Sequence, residues 1–415
     1  MEKMTGKTIK KPIAIVLTNA NFESRKRISR NIKVLEDMGY KLLVSSPHVP
    51  TDKHLLYWPL QSRSINDLQA GSFIKKITTT LWFATTLPLS LMAALFGGFW
   101  LSWFLTTQSK ILSPYKIEAL SDVNLILVED ISLSLLGLKI KSISHAKFVL
   151  DLRDFYWRND LIGSSSERGL TKIIAIAVKA LDHLLTKKTY LEFLPKYDEV
   201  ICVSNGHSKK LRNIFNINSS VVLSAVEYRQ DLAPQPVNSE DIKLVYHGIG
   251  NRQRSIDMLI EAVNLSPENI SLHLYLTDIS VEYLESLRKI ASKKIHFHEP
   301  IAYERLITET NSYDVGLAFF PPLHSSLEDA LPNKFFEYVQ ARLAVISGPS
   351  EDMSEIINKY DIGLVTKAFT VEDLRSAIVT CTPESILKMK CNSSILASKV
   401  NFESESAKLI DILSS

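Results

Sequence analysis

Residues 12–46 read PIAIVLTNANFESRKRISRNIKVLEDMGYKLLVSS, and this stretch decides the fold class. Its apolar run over 12–18 predicts a short buried strand. Apolar side chains then recur at spacings of four and three, which are typical of a helix: Ile28, Ile32, Leu35 and Met38. Gly39 ends this helix, and residues 41–46 predict a second strand. Strand, helix and strand in this order form the βαβ unit of a parallel, doubly wound sheet.

The same alternation continues along the chain. Apolar runs predict buried strands at 123–128, 147–151, 198–203, 242–246, 270–276, 295–297 and 314–319. A polar, Pro-containing stretch at 229–241 interrupts the pattern and predicts a linker between domains. We therefore predict an α/β fold class, with two Rossmann-like doubly wound domains that face a cleft. The predicted boundaries are 1–235 for the first domain, 236–392 for the second and 393–415 for a helical tail.

Charge and cysteine content bound the function classes. The chain has 48 basic and 45 acidic side chains, and the net charge of +3 argues neither for nor against nucleic acid. We expect no nucleic-acid partner. Residues 1–76 nevertheless hold 14 basic and 6 acidic side chains, an excess that suits an anionic membrane surface or a phosphorylated ligand. The cysteines are far apart and lack metal-ligand spacing, so we expect neither disulfides nor a metal site. The N-terminus shows no signal-peptide pattern, so we expect a cytoplasmic chain.

A hydrophobic segment at 73–109 does not fit the α/β pattern. No charged residue occurs between Lys76 and Lys110, and three tryptophans lie near the two ends of the uncharged stretch. A single membrane crossing would separate strands that belong to one sheet. Two interpretations stay open: helices that lie in the membrane interface, or a helical pair buried in the first domain. We expect a hydrophobic helical insertion that makes peripheral contact with the inner face of the cell membrane.

The stretch YHGIGNRQRSIDMLIEA at 246–262 places Gly248 after a strand and before a helix. The third glycine and the downstream acid of a dinucleotide fingerprint are missing, which argues against a hydride-transfer enzyme. Arg252 and Arg254 precede the predicted helix, whose first N–H groups favour an anion. Guanidinium groups there can hold a diphosphate through paired hydrogen bonds. The alternative is that both arginines are solvated surface residues.

The stretch SLEDALPNKFFEYVQARLAVISG at 326–348 brings two carboxylates near the start of a second helix. Pro332 begins the helix, Asp329 lies in the preceding loop and Glu337 lies on the first turns. A carboxylate accepts hydrogen bonds from vicinal hydroxyls, so this pair can hold a ribose and a hexose. The alternative is that Glu337 only complements the helix dipole.

The second half of the chain resembles glycosyltransferase family 4, whose members have the GT-B fold and retain the configuration of the transferred sugar. The resemblance covers most of 241–380 and rests on LPNKFFEYVQARLAVISG, on YHG and RSIDMLIEA before it, and on YDVGLAF at 313–319 and YDIGLV at 360–365. It implies a nucleoside-diphosphate sugar as donor substrate and no further cofactor. A hydrophobic stretch between early strands also occurs in members that act on lipid-linked sugars.

The resemblance also implies roles for individual residues. Glu337 would bind the nucleotide ribose, and Asp329, where the family usually has glutamate, would contact the donor sugar. Arg254 would bind the diphosphate, with Arg252 in support because Ile249 replaces the usual arginine. Four further residues would shape the donor site: Gly248, Pro332, Asn333 and Lys334.

The first domain matches the family more loosely. In VLDLRDFYWR, Arg153 replaces a histidine of the family, so its catalytic role would be electrostatic. Asp151 and Asp154 are candidates for acceptor contact or, alternatively, acids that cap a strand end. We predict a retaining hexosyltransferase that acts on a lipid-linked or polysaccharide acceptor in surface polysaccharide synthesis. The alternatives are a nucleotide-sugar epimerase and a donor-binding scaffold without activity.

Overall fold

The structure is a computed structural model, and it describes residues 11–20, 25–46, 56–59, 120–153, 155, 184–322 and 331–415. The hydrophobic segment predicted at 73–109 lies outside these ranges, as do Asp154 and Asp329. Among the described residues, no helix is both long and apolar enough to span a bilayer.

The described chain divides into two compact units. Residues 222–408 form the second unit together with 203–206, while the rest of the chain, including 409–415, belongs to the first. The sequence pattern placed the domain boundary at 235 and a separate tail from 393. By contacts, the stretch from 222 onward and most of the C-terminal helical region pack with the second sheet.

The first unit contains a seven-stranded parallel sheet with the strand order β3-β2-β1-β4-β5-β6-β7. Its strands are β1 (Ile13–Leu17), β2 (Lys41–Ser46), β3 (Leu56–Pro59), β4 (Val123–Val128), β5 (Lys147–Leu152), β6 (Glu199–Cys202) and β7 (Ser220–Val221). The central strands are buried on both faces, as their continuous apolar runs predict. Their side chains form one core around Phe148 and Leu150.

Helices follow the strands of the first unit in the expected alternation. They are α1 (Lys26–Asp37), α2 (Ser134–Ser144) and α3 (Asn205–Phe215), and residues 184–193 are also helical. Helix α1 buries the stripe predicted from Ile28, Ile32 and Leu35, but it also buries the polar residues Arg27 and Asn31. These two polar residues form a buried charged cluster with Asp151 and Glu129.

The second unit contains a six-stranded parallel sheet with the strand order β10-β9-β8-β11-β12-β13. Its strands are β8 (Ile242–Ile249), β9 (Ile270–Thr277), β10 (Ile295–His298), β11 (Val315–Ala318), β12 (Ala344–Ser347) and β13 (Gly363–Val365). Its helices are α4 (Ile256–Asn264), α5 (Val281–Ile290), α6 (Tyr303–Thr310), α7 (Asn333–Gln340), α8 (Glu351–Tyr360), α9 (Val371–Thr380), α10 (Pro383–Lys399) and α11 (Phe402–Ser414), of which α11 continues into the first unit.

Both sheets reverse their strand order next to the first strand of the unit. In the first sheet β1 lies between β2 and β4, and in the second β8 lies between β9 and β11. The predicted fold class, α/β with two Rossmann-like doubly wound domains, is confirmed. In such sheets ligands bind beyond the carboxyl ends of the strands, where the strand order reverses. These two edges therefore locate the candidate sites.

Candidate functional site

The carboxyl end of β8 has a backbone that only glycine adopts easily. Gly248 has a φ of +110°, which is outside the usual range of residues with a side chain. A Cβ atom placed there would lie 3.5 Å from Nζ of Lys334, the second residue of α7. The glycine thus brings the backbone of β8 close to the start of a helix from a distant part of the sequence.

The ammonium group of Lys334 lies among aromatic rings. Its Nζ is 3.6 Å from the ring centroid of Tyr246 and 4.9 Å from that of Phe320. Lys334 is partly exposed as a residue, but its Nζ is shielded from solvent, and no atom of the described chain accepts a hydrogen bond from it. Aromatic faces attract a cation, but they do not replace the oxygen acceptors that a shielded amine needs.

Electrostatics at Lys334 disfavour its charged form. Burial lowers the pKa of the amine well below its ordinary value, the charge of Arg254 lowers it further, and Glu337 acts in the opposite direction. Helix α7 begins after Pro332, has no side-chain cap and carries no acid in its first turn. Its first N–H groups add partial positive charge at the same place. The start of α7 is therefore an electropositive position.

Glu337 lies on α7 beside an unexpected histidine. Its Oε2 is 3.7 Å from Nδ1 of His247, longer than a hydrogen bond, and both side chains are buried. Burial, followed by the charge of Lys334, lowers the pKa of His247 to about 3, so the imidazole is neutral at physiological pH. The Nε2 of His247 has no hydrogen-bond partner within the described ranges. A further polar atom without a partner there, Oδ1 of Asn251, lies three residues after Gly248.

Close packing fixes α7 against the sheet. The ring of Tyr338 lies over Gly316 of β11, where a Cβ atom would approach Cγ of the ring to 2.3 Å. The Tyr338 hydroxyl lies 3.4 Å from the carbonyl oxygens of Val245 and of Leu317, so it reaches both neighbouring strands. Because Tyr338 follows Glu337 directly, this packing also limits the movement of the Glu337 carboxylate.

The two predicted arginines have different surroundings. Both lie in a 3₁₀ turn, Arg252–Arg254, that joins β8 to α4. Arg254 is partly buried, with its guanidinium carbon 5.4 Å from the ring centroid of Phe320, and its charge acts on Lys334. Arg252 is exposed, stacks over Tyr283 and lies 3.9 Å from Glu282. The structure therefore brings Arg254 to the Lys334 position and turns Arg252 towards α5.

The corresponding edge of the first sheet carries a buried charged cluster. Arg27 donates from Nε and Nη2 to the two oxygens of Asp151 at 2.7 and 2.8 Å. The amide of Asn31 donates to Asp151 at 2.6 Å and to Oε1 of Glu129 at 2.9 Å. Glu129 follows β4 directly, and its Oε2 lacks a partner in the part of the chain that the structure describes. Burial and the charge of Asp151 raise the pKa of Glu129 to about 8.

This cluster changes the interpretation of the predicted residues in the first unit. Asp151 is almost fully buried, and Arg27 and Asn31 occupy its oxygens, so it holds the local structure together. Arg153 follows β5, is partly exposed and donates its backbone N–H to the carbonyl of Asp151 at 3.1 Å. Among the described residues, no three His, Cys, Asp or Glu side chains are placed to hold a metal ion.

Six predicted donor-site residues lie in the described chain around the end of β8 and the start of α7. Gly248, Arg254 and Lys334 come together, Glu337 lies one helical turn beyond Lys334, and Pro332 and Asn333 form the helix start. The sequence analysis missed other residues with shielded polar atoms or ring contacts at these two edges: His247, Asn251, Phe320, Arg27, Asn31 and Glu129. Their common signal was a position at or just after the end of a strand, or on the buried side of the following helix.

Two parallel sheets, each with a reversal of strand order beside its first strand, define the class of fold. It is the fold of the two-domain GT-B glycosyltransferases. No family model and no curated protein sequence matches the chain. Solved structures do match it over nearly its whole length, at sequence identities of 10 to 15%. At such identities the likeness establishes the fold.

Three of these structures illustrate the likeness. The chain is similar to a glycosyltransferase of Rickettsia africae ESF-5, with 15% identity, a TM-score of 0.61, and coverage of 97% of this chain and 98% of that one. It is similar to WaaG, a glycosyltransferase involved in lipopolysaccharide biosynthesis, with 12% identity, a TM-score of 0.60, and coverage of 97% and 99%. It is also similar to HepE of Anabaena in complex with UDP and glucose, with 12% identity, a TM-score of 0.59, and the same coverage.

Proposed function

We propose that the protein is a glycosyltransferase that binds a nucleoside-diphosphate sugar at the carboxyl edge of the second sheet. The observation that carries the proposal is Lys334, a shielded amine without an acceptor in the described chain. It lies at the start of a helix that has no acid in its first turn. An unsatisfied amine, a helix N-terminus and the nearby Arg254 together suit a diphosphate.

Each residue of the site has a role in this proposal. Arg254, Lys334 and the first N–H groups of α7 stabilise the negative charge that grows on the departing diphosphate. Glu337 accepts hydrogen bonds from the ribose hydroxyls, with Arg252, Gly248, Pro332 and Asn333 shaping the site and Asp329 contacting the sugar. The bond from the anomeric carbon to the phosphate oxygen breaks as the oxygen of the acceptor hydroxyl attacks from the same face, which retains the configuration, and the hydroxyl proton passes to the departing phosphate oxygen.

The acceptor side of the proposal rests on the first unit and on the sequence. A lipid-linked or polysaccharide acceptor fits the uncharged stretch between Lys76 and Lys110, which would contact the inner face of the membrane. HepE was solved with UDP and glucose, and WaaG takes part in lipopolysaccharide synthesis, which supports a hexose donor and a role in surface polysaccharides. Arg153 would act electrostatically at the acceptor side.

A thermal-shift screen of nucleotide sugars tests the donor site. We expect at least one of UDP-glucose, UDP-galactose and GDP-mannose to raise the Tm of the full-length protein. In Glu337→Ala the shift should disappear, because the ribose loses its carboxylate. The matched control is Glu268→Ala, which removes an exposed acid just before the amino end of β9 and should keep the shift. The proposed Glu337 role is wrong if both variants respond like the wild type.

Turnover assays separate the proposal from its alternatives. A transferase needs an acceptor, so membrane extracts should support sugar transfer from the preferred donor. Conversion of the donor alone into an epimer would indicate an epimerase. Donor binding with no turnover across a broad panel of acceptors would favour a scaffold.

A further inference from the structure

We propose that Lys334 meets the donor diphosphate as a neutral amine and takes up one proton from solvent when the donor binds. This inference rests on the proposed function, because it concerns the same donor site. The step is a simple protonation, in which the amine nitrogen gains a proton and the resulting ammonium pairs with a phosphate oxygen. No bond of the donor breaks in it.

The geometry around Lys334 favours the neutral amine. The Nζ atom lies against the face of the Tyr246 ring and beside the backbone of Gly248, which has no side chain. No oxygen of the described chain accepts a hydrogen bond from it, and solvent does not reach it. A charged ammonium in such surroundings loses its hydration without compensation. The neutral form loses much less.

Among the residues that the structure describes, the groups around Lys334 do not supply the missing negative charge. Arg254, from the 3₁₀ turn, is positive, and burial lowers the pKa of His247 on β8, so that imidazole is neutral. Burial raises the pKa of Tyr246, also on β8, so its hydroxyl keeps its proton. Glu337 on α7 is the acid that favours the ammonium, and its effect is smaller than that of burial and of Arg254.

A bound diphosphate reverses this balance. The diphosphate of a nucleotide sugar is a diester that stays ionised across the neutral pH range, so it does not itself take up a proton there. Its charge next to Nζ favours the ammonium, and its oxygens provide the hydrogen-bond acceptors that the described chain does not offer to Nζ. By linkage, donor affinity then falls as the pH rises, by up to about tenfold per pH unit for one proton.

Isothermal titration calorimetry measures the proton directly. UDP-glucose and GDP-mannose are titrated into the full-length protein at one slightly alkaline pH, in two phosphate-free buffers, HEPES and Tris, whose ionisation enthalpies differ. We expect the measured enthalpies to differ by the ionisation enthalpy of the buffer times an uptake approaching one proton. Equal enthalpies in the two buffers would overturn the inference but leave the proposed donor site intact.

Lys334→Arg identifies the group that takes up the proton. A guanidinium stays charged at neutral and slightly alkaline pH, so the variant should bind the donor with no uptake and with an affinity independent of pH. The matched control, Lys289→Arg at an exposed position on α5, should keep the uptake of the wild type. Uptake that persists in Lys334→Arg would assign the proton to another group and overturn the inference.

A variant that does not fold leaves the test intact, since the wild-type uptake and the pH dependence of its Kd are measured without it. If neither nucleotide sugar binds the wild type, the proposed function fails, and the inference fails with it. Binding without uptake contradicts the inference alone.

Discussion

Arg27 in the first unit and Lys334 in the second lie at corresponding edges of two similar sheets, and their surroundings are opposite. Arg27 donates to both oxygens of Asp151, with a second carboxyl group, that of Glu129, nearby. Lys334 faces aromatic rings and the positive charge of Arg254, and its Nζ has no acceptor in the described ranges. One edge balances its charges internally, while the other leaves positive charge for something else to balance.

This difference distinguishes residues that stabilise the fold from residues that are available to bind a ligand. A buried ion pair that is complete loses much stability when one partner is removed, because the other charge stays buried alone. A shielded amine that has no hydrogen-bond acceptor already costs stability, so its removal should cost little. Measurements on variants at the two edges can contradict or refine this contrast.

The largest expected effect is on the stability of the first unit. Arg27→Met leaves the carboxylate of Asp151 without its bidentate partner, and the free energy of unfolding should fall by about 3–5 kcal/mol. Urea unfolding followed by circular dichroism measures it. Arg25→Met, at an exposed position two residues earlier, is the matched control. A loss below about 1 kcal/mol, in the range of surface substitutions, would mean that the pair does not stabilise the unit.

Glu129 should make stability depend on pH. Its pKa is raised from 4.5 to about 8, so the folded state holds a proton that the unfolded state releases above pH 4.5. The contribution of Glu129 to the free energy of unfolding is therefore fully present below pH 4.5, its pKa in the unfolded chain, and is lost as the pH rises to about 8. Glu129→Gln cannot ionise, so relative to wild type it should gain on the order of 4 kcal/mol between pH 5 and pH 8.5.

The matched control for Glu129 is Glu36→Gln, which changes an exposed acid on α1. Unfolding curves at several pH values compare each variant with the wild type. The buried proton would be ruled out if the difference between Glu129→Gln and wild type stayed constant across the range.

Arg254 and Arg252 should contribute unequally to donor binding at the carboxyl edge of the second sheet. Arg254→Ala removes the guanidinium beside Lys334 and should weaken donor binding about tenfold or more, since hydrogen bonds to charged groups contribute about 1.5–3 kcal/mol. Arg252→Ala removes a group that faces Tyr283 and Glu282, and a loss of about threefold or less is expected. Calorimetry with UDP-glucose compares them. A larger loss in Arg252→Ala would reverse the assignment of the diphosphate ligand.

The smallest expected effect is the most direct test of the contrast. Lys334→Met removes a shielded amine that has no acceptor in the described chain and keeps most of the side-chain volume, so the free energy of unfolding without donor should change by less than about 1 kcal/mol or rise slightly. The same urea experiment as for Arg27→Met measures it. Losses of equal size in the two variants would show that both side chains hold the fold.

Helices and strands that follow a local pattern of apolar residues could be predicted from the sequence. The periodicity of Ile28, Ile32 and Leu35 predicted α1, and the helix start at Pro332 agrees with the observed beginning of α7. Two strands of the second sheet, β12 and β13, were not predicted as strands, because their short runs were interpreted only as parts of motifs. The fold class could be predicted because α/β alternation recurs along the chain.

Pairs that depend on distant sequence could not be predicted. Arg27 and Asp151 are 124 residues apart, and nothing local to either indicates the other. Asp151 was therefore interpreted as a candidate acceptor contact when the structure occupies its oxygens internally. His247 was quoted only as part of YHG, because the approach of Glu337 from α7 depends on the pairing of strands. Lys334 was identified through a family resemblance, but its shielding by Tyr246 and Phe320 needs coordinates.

The contact between Gly316 and Tyr338 has an evolutionary consequence. A Cβ atom at position 316 would lie 2.3 Å from Cγ of the Tyr338 ring, so a side chain there requires the ring or α7 to move. Among homologous sequences, the two positions should therefore vary together, with a side chain at 316 only where 338 is small. Because Glu337 is adjacent to this contact, such a paired change should also be accompanied by changes in the preferred donor.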